Sequence, residues 1–205
     1  KTLYPLARSM NRKLEFYVGP TNSGKTYNAM KKLKEANSGL YLAPLRLLAL
    51  EGYEDLKESN IEASLITGEE QQLSEDAAHI CSTIEMLDFD LEVDVAVIDE
   101  VQMLEDIDRG WAWVNAIIGV PAKKVIMTGS VNALEAVKKI VQYLDEELEV
   151  VRHKRKNPLL VLEKWTPLEK LENGTALIAF SRAEVLKLKQ KLQKKYSVSV
   201  IYGNL

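Results

Sequence analysis

The chain has 205 residues, 46% of them hydrophobic and 28% charged, with a formal net charge of −3 and one cysteine. That length suits one domain or one and a part, and the weakly acidic balance excludes a global attraction to nucleic acid. No apolar run reaches the ~18 residues a membrane helix needs, and Cys81 alone excludes an internal disulfide or a multi-cysteine zinc site, so the expectation is a reducing, cytoplasmic setting with no membrane partner.

Read in chain order, short apolar runs alternate with amphipathic helical stretches. "LEFYV" (14–18) reads as the first strand, and "GPTNSGKT" follows it directly. That octet fits G-x-x-x-x-G-K-[ST], a loop whose backbone N–H groups cradle phosphates at the start of a helix. Gly19, Pro20, Thr21, Asn22, Ser23 and Gly24 would form the cradle. Lys25 would reach the β- and γ-phosphates of ATP, and the Thr26 hydroxyl would bind Mg²⁺. "KTYNAMKKLKEA" then carries Tyr27, Met30 and Leu33 at helical spacing. Tyr27 could stack on adenine or pack on the helix's apolar face.

"GLYLA" (39–43), "ASLIT" (63–67) and "HICST" (79–83) are the next strands, with Cys81 a small core residue and His79 without ligand-spaced partners. "VAVID" (95–99) climbs through apolar residues to two adjacent carboxylates. Like charges in contact repel, so Asp99 and Glu100 imply a cation between them. Downstream of a phosphate loop, Asp99 would hold Mg²⁺ together with Thr26, and Glu100 would polarise the attacking water as base. Gln102 is not explained by hydrolysis alone.

In "RGWAWVNAIIG", Trp111, Val114 and Ile118 recur at helical spacing and read as a packing stripe. Arg109 is expected to pair with Asp106 or Asp108. "KVIMTG" (124–129) and "LEVVR", ending at Arg152, close the strand series. Near-continuous apolar strands separated by helices indicate an α/β fold with a mostly parallel sheet covered on both faces. The basic "RHKRKNP" (152–158) reads as a solvated linker. Beyond it, "LLVLEKW", "TALIAF", "RAEVLKLKQKLQKKY" and "SVSVIYG" read as the opening of a second α/β unit. The organisation expected is 1–151, linker 152–158, and 159–205 as a truncated second domain, the whole an excised piece of a longer protein.

A phosphate loop with "DEVQ" resembles two families. Type II thymidine kinases carry both, but that resemblance implies a zinc lasso of paired cysteines, which Cys81 alone cannot make. Superfamily 2 helicases carry the same pair on RecA-like domains. "GPTNSGKT", "APLRLLALE" (43–51), "TGEE" (67–70), "STIEM" (82–86), "VIDEVQM" and "DRGWAW" (108–113) together resemble the mitochondrial degradosome RNA helicase family and its bacterial relatives. "IAFSR" (178–182) resembles the first motif of the second RecA-like lobe.

The resemblance implies ATP-driven unwinding of RNA, single-stranded or duplex with an overhang, together with a second RecA-like domain and RNA-degradation partners. By the same resemblance, Pro44, Arg46, Thr67, Gly68, Thr83 and Glu85 face RNA. Gln102 would contact the γ-phosphate or the second lobe, while Thr128, Gly129 and Ser130 couple the two activities. Ser130 departs from the acidic residue expected in this family and is nearer the Ser-Ala-Thr loop of DEAD-box proteins. No glutamine motif for reading adenine precedes Gly19, and the arginine finger would lie beyond Leu205. The piece is thus expected to bind nucleotide better than it hydrolyses it. A non-unwinding ATP-dependent RNA clamp is the remaining alternative.

Overall fold

The computed structural model describes residues 3–155 and 157–202. Lys156 of the basic run and Gly203, which closes the last strand-like run, lie outside the described residues. The chain divides into two compact units, Lys1–Pro158 and Leu159–Leu205.

The first unit is built on an eight-stranded sheet. Its strands are β1 (Lys13–Val18), β2 (Gly39–Ala43), β3 (Ala63–Ile66), β4 (Gln71–Gln72), β5 (His79–Thr83), β6 (Val93–Ile98), β7 (Ala122–Gly129) and β8 (Leu148–Arg152). Their spatial order is β4-β3-β5-β2-β6-β7-β1-β8, parallel throughout except for the β3–β4 pair. The helices of this unit are α1 (Pro5–Ser9), α2 (Lys25–Glu35), α3 (Arg46–Glu58), α4 (Gly110–Gly119) and α5 (Leu134–Tyr143).

Apolarity on both sides of the central strands forces this layering, because a parallel sheet covered by crossover helices exposes neither face. In β6, Ala96 and Ile98 join a core with Phe16, Leu42, Met127, Trp113 and Ile117, under α4 and α5. Val95 and Val97 join the opposite core with Leu33, Tyr41, Leu56 and Ile126, under α2 and α3. The register Ile98↔Met127 and Val18↔Gly129 brings the carboxyl ends of β6, β7 and β1 to one rim. Ligand sites of open parallel sheets lie there.

In the first unit several features differ from the sequence reading. Strands β6 and β7 each begin two residues earlier than expected, while α1 and the two-residue β4 carry no readable periodicity because they are so short. The stripe on α4 is also rotated. Trp111 is 57% exposed, whereas Ala112, Trp113, Ala116 and Ile117 are buried. Nearly every position of α4 is apolar or small, so hydrophobicity alone could not choose its inner face.

The second unit contains α6 (Arg182–Leu192), capped by Ser181 Oγ accepting from the Glu184 N–H at 3.2 Å. Among the described residues of this unit, "LLVLEKW", "TALIAF" and "SVSVIY" form no paired strands. They leave Val161, Ile178, Phe180 and Ile201 exposed. Apolar runs become strands only when a neighbour supplies the ladder, and here none is paired.

One buried ion pair fastens the first unit. Arg12 donates from Nε and Nη2 to Glu146 at 2.8 and 2.6 Å, and from Nη1 and Nη2 to the carbonyls of Val120 and Ile117 at 3.0 and 3.1 Å. Its side chain is fully buried. Arg12→Met leaves Glu146 with Arg8 Nη2 (3.0 Å) alone and strands the two carbonyls, and it should lower unfolding free energy by about 3 kcal/mol, measured by urea denaturation.

Candidate active site

The loop expected to cradle phosphates, Gly19 to Gly24, spans the gap between β1 and α2. Asn22 (φ 62°) and Gly24 (φ 83°) both take the left-handed conformation, which folds the loop back on itself. A side chain at Gly19 would place its Cβ 2.5 Å from the His153 carbonyl oxygen and 2.8 Å from Ser23 Oγ, so only glycine lets the loop lie against the end of β8. Inside the loop, Ser23 Oγ and Lys25 Nζ each donate to the Pro20 carbonyl at 2.7 Å. No side chain caps the amino end of α2, which leaves its first N–H groups available to an anion. Burial lowers the pKa of Lys25, and the charges of Glu100 and Asp99 work against that shift.

Asp99 sits just past β6 and gathers donors from three other elements. Thr26 Oγ1 donates to its Oδ1 at 2.9 Å and Tyr41 Oη to its Oδ2 at 2.8 Å. Thr128 Oγ1 also donates to Oδ1. The Asp99 backbone is fixed too, its carbonyl accepting from Trp113 Nε1 at 2.9 Å and its N–H donating to Leu42 O at 3.0 Å. The two motifs, 73 residues apart in sequence, therefore meet directly.

Glu100 is turned the other way. Its φ of 55° ends the strand and starts the 3-10 turn Val101–Glu105. The Glu100 N–H donates to Thr128 Oγ1 at 3.2 Å, so one threonine serves both acids. Gln102 Nε2 donates to Glu100 Oε2, and Gln102 Oε1 accepts from the Ser130 N–H at 3.2 Å. Any Cβ at Gly129 would come within 2.9 Å of Gln102 Oε1. Thr128, Gly129 and Ser130 are thus in contact with the acidic loop, and the departure at Ser130 leaves that contact intact because the backbone makes it.

The residues expected to face nucleic acid are dispersed along the same rim, and several are engaged within the protein. Thr67 is buried and exchanges hydrogen bonds with Glu70, its Oγ1 accepting from the Glu70 N–H at 3.0 Å. Arg46 pairs with Glu69 and lies 3.6 Å from Glu70. Gly68 faces open space, and Thr83 ends β5. Arg109 does not pair through its side chain with Asp106 or Asp108. It binds Glu85 Oε1 at 2.7 Å and the Pro44 carbonyl at 2.8 Å, joining two rim loops, while only its N–H reaches Asp106. Tyr27 lies exposed rather than on an apolar face.

Tyr41, Trp113, Arg109, His153 and Arg155 are site neighbours that sequence reasoning missed. Tyr41 draws no reading of its own within "GLYLA", and the stripe expected on α4 runs through Trp111 and passes over Trp113. The basic run is not wholly solvated: His153 Nε2 lies 3.0 Å from Asn28 Nδ2, and Arg155 Nε donates to Thr21 O at 3.0 Å. A charge run gives no sign of which of its members touches a phosphate loop.

Residues 1–153 match the family model described as the DEXQ-box helicase domain of Suv3. The chain belongs to that family. The match decides between the two resemblances, and the kinase is set aside. The Suv3 homologue of Caenorhabditis elegans, a mitochondrial ATP-dependent RNA helicase by name, is 41% identical over 208 residues, covering 98% of this chain and 29% of that protein. The mitochondrial ATP-dependent RNA helicase SUV3 of Saccharomyces cerevisiae is 40% identical, with 98% and 29% covered. DExH18 of Arabidopsis thaliana is 39% identical, with 100% and 27% covered. The chain therefore spans less than a third of the length of each of these relatives. Among solved structures, the Hef helicase domain of Pyrococcus furiosus aligns with a TM-score of 0.49 at 22% identity, over 69% of this chain and 35% of that one.

The relatives' mitochondrial names overturn the cytoplasmic expectation. A single cysteine excludes a disulfide framework but does not choose among compartments.

Replacing Thr128 with valine removes a donor to Asp99 and an acceptor for Glu100. Thr128→Val should cost about 1–3 kcal/mol in urea unfolding, and Thr128→Ser should restore most of it.

Proposed function

We propose that this Suv3-family chain is the nucleotide-binding part of an ATP-dependent RNA helicase, running ATP hydrolysis at the rim where β1, β6 and β7 end. The 2.9 Å hydrogen bond from Thr26 to Asp99 carries the reading, because it joins the phosphate loop to the acidic motif at one point. RNA as partner follows from the relatives' printed names. Residues 1–151 would be the first RecA-like domain, 152–158 a linker, and 159–205 the start of the second.

Loop N–H groups from Gly19 to Gly24 and the amino end of α2 bind the phosphates, and Lys25 exchanges the Pro20 carbonyl for a phosphate oxygen. The donor set suits Mg²⁺: a hydroxyl and a carboxylate, both hard oxygen ligands, already touch. An ion of this kind is carried mainly by one carboxylate and substrate phosphates and needs no larger acidic cluster. Thr26 and Asp99 would hold it, and when bound it neutralises charge on the β- and γ-phosphates.

Glu100 orients and deprotonates the attacking water, having been separated from Asp99 by its left-handed turn. Gln102 bridges Glu100 to the Ser130 N–H, so a shift of the Thr128–Ser130 loop reaches the base through one side chain. Pro44, Arg46, Thr67, Gly68, Thr83 and Glu85 provide the RNA rim, several of them by shaping loops whose backbone grips phosphates. The Arg109 clamp between Glu85 and Pro44 keeps two of those loops in register.

Lys25→Ala should abolish nucleotide binding by fluorescent-nucleotide titration. Glu100→Gln should keep binding while lowering turnover about a hundredfold or more. In the full-length protein, ATPase should rise when single-stranded RNA is added. Turnover indifferent to RNA would contradict the proposed function.

A further inference from the structure

Asp99 is the point at which Thr26, Tyr41 and Thr128 meet, and Tyr41 belongs to none of the motifs that the proposed function uses. Each carboxylate oxygen offers two lone pairs. Oδ1 accepts from both Thr26 and Thr128, whereas Oδ2 accepts from Tyr41. If Thr26 turns its hydroxyl to a metal ion, the carboxylate keeps one protein hydroxyl per oxygen: Thr128 on Oδ1 and Tyr41 on Oδ2. Tyr41 then decides whether the group can rotate about its Cβ–Cγ bond.

The phenol suits that role. Tyr41 is 2% exposed, and its ring backs onto α3 at Gly52, where a Cβ would lie 2.5 Å from Tyr41 Cδ1. A ring held on one side by a helix and on the other by a carboxylate has little freedom to swing. Its hydroxyl donates to Asp99 Oδ2 at 2.8 Å. Asp99 is itself 2% exposed, so water is a poor substitute for a lost donor.

We propose that Tyr41 is a positioning residue for the metal-binding carboxylate, its hydroxyl fixing Asp99 Oδ2 so that Oδ1 stays presented to Thr26 and the ion. The role rests on Asp99 being the magnesium carboxylate. It predicts a defect confined to the metal-dependent part of nucleotide binding. Among the described residues, the hydrogen bond of the Tyr41 hydroxyl goes to Asp99 and not to the phosphate loop or Lys25.

The test is titration of the whole chain with a fluorescent ATP analogue, with and without Mg²⁺, for the wild type, Tyr41→Phe, Gly52→Ala and Asp99→Asn. Tyr41→Phe should raise the Mg²⁺ concentration for half-saturation about tenfold, as expected for losing one hydrogen bond to a charged group. Metal-free affinity should not change. Gly52→Ala, which displaces the ring while keeping the hydroxyl, should move the Mg²⁺ requirement in the same direction and serves if Tyr41→Phe does not fold.

A shift in Asp99→Asn with wild-type Mg²⁺ dependence in Tyr41→Phe and Gly52→Ala would overturn the positioning role alone. An equal loss of affinity with and without Mg²⁺ in the two variants would overturn it too, by marking a general structural effect. Wild-type Mg²⁺ dependence in Asp99→Asn would remove the assignment of the carboxylate, and the role of Tyr41 with it.

Discussion

Three hydroxyl groups from three separate elements converge on the carboxylate of Asp99, and the arrangement of the rim depends on that convergence. A buried carboxylate without donors would be costly, on the order of several kcal/mol. Here Thr26, Tyr41 and Thr128 supply them, so the charge becomes a fastener between the phosphate loop, β2 and β7. The neighbouring acid is kept out of this knot. The left-handed backbone at Glu100 turns the chain, and Glu100 is held by Gln102 instead. Two adjacent carboxylates therefore avoid sharing one environment, which is the condition for giving them different tasks.

Strand order makes the convergence possible. Because β6 lies between β2 and β7, Asp99 has Tyr41 on one flank and Thr128 on the other, and β1 lies one strand farther along. Thr128 spans the acid pair by donating to Asp99 and accepting from the Glu100 N–H. Gly129 then passes close enough to Gln102 that a methyl group would not fit without movement. A rearrangement at any of these positions is felt at the others because contacts this close leave little slack.

Much of this was legible in the sequence. Seven of the eight strands follow from apolar runs, since a strand buried on both faces is distinctive when helices separate it from the next. The placement of Gly19–Thr26 between a strand and a helix, and of Asp99 and Glu100 at a strand's end, was legible because such motifs fix residue type and spacing. Tyr41 was not, since a tyrosine in "GLYLA" looks the same whether its hydroxyl meets solvent or a carboxylate. Trp113 was not separable from Trp111 on a helix apolar nearly all round. Arg109 was misassigned because nearby acids in sequence are not the nearest in space: Glu85 arrives from another loop. The strand-like runs after Pro158 show the opposite limit, for pattern alone does not supply a pairing partner.

The central claim is that Thr26 and Asp99 share one magnesium ion at the junction of the two motifs. A crystal structure of the chain grown with Mg²⁺ and a non-hydrolysable ATP analogue tests it most directly. The account predicts the ion about 2.1 Å from Thr26 Oγ1, with the Asp99 carboxylate bound to it directly or through one coordinated water. An ion and triphosphate seated away from this rim, with the Thr26–Asp99 contact undisturbed, would contradict it.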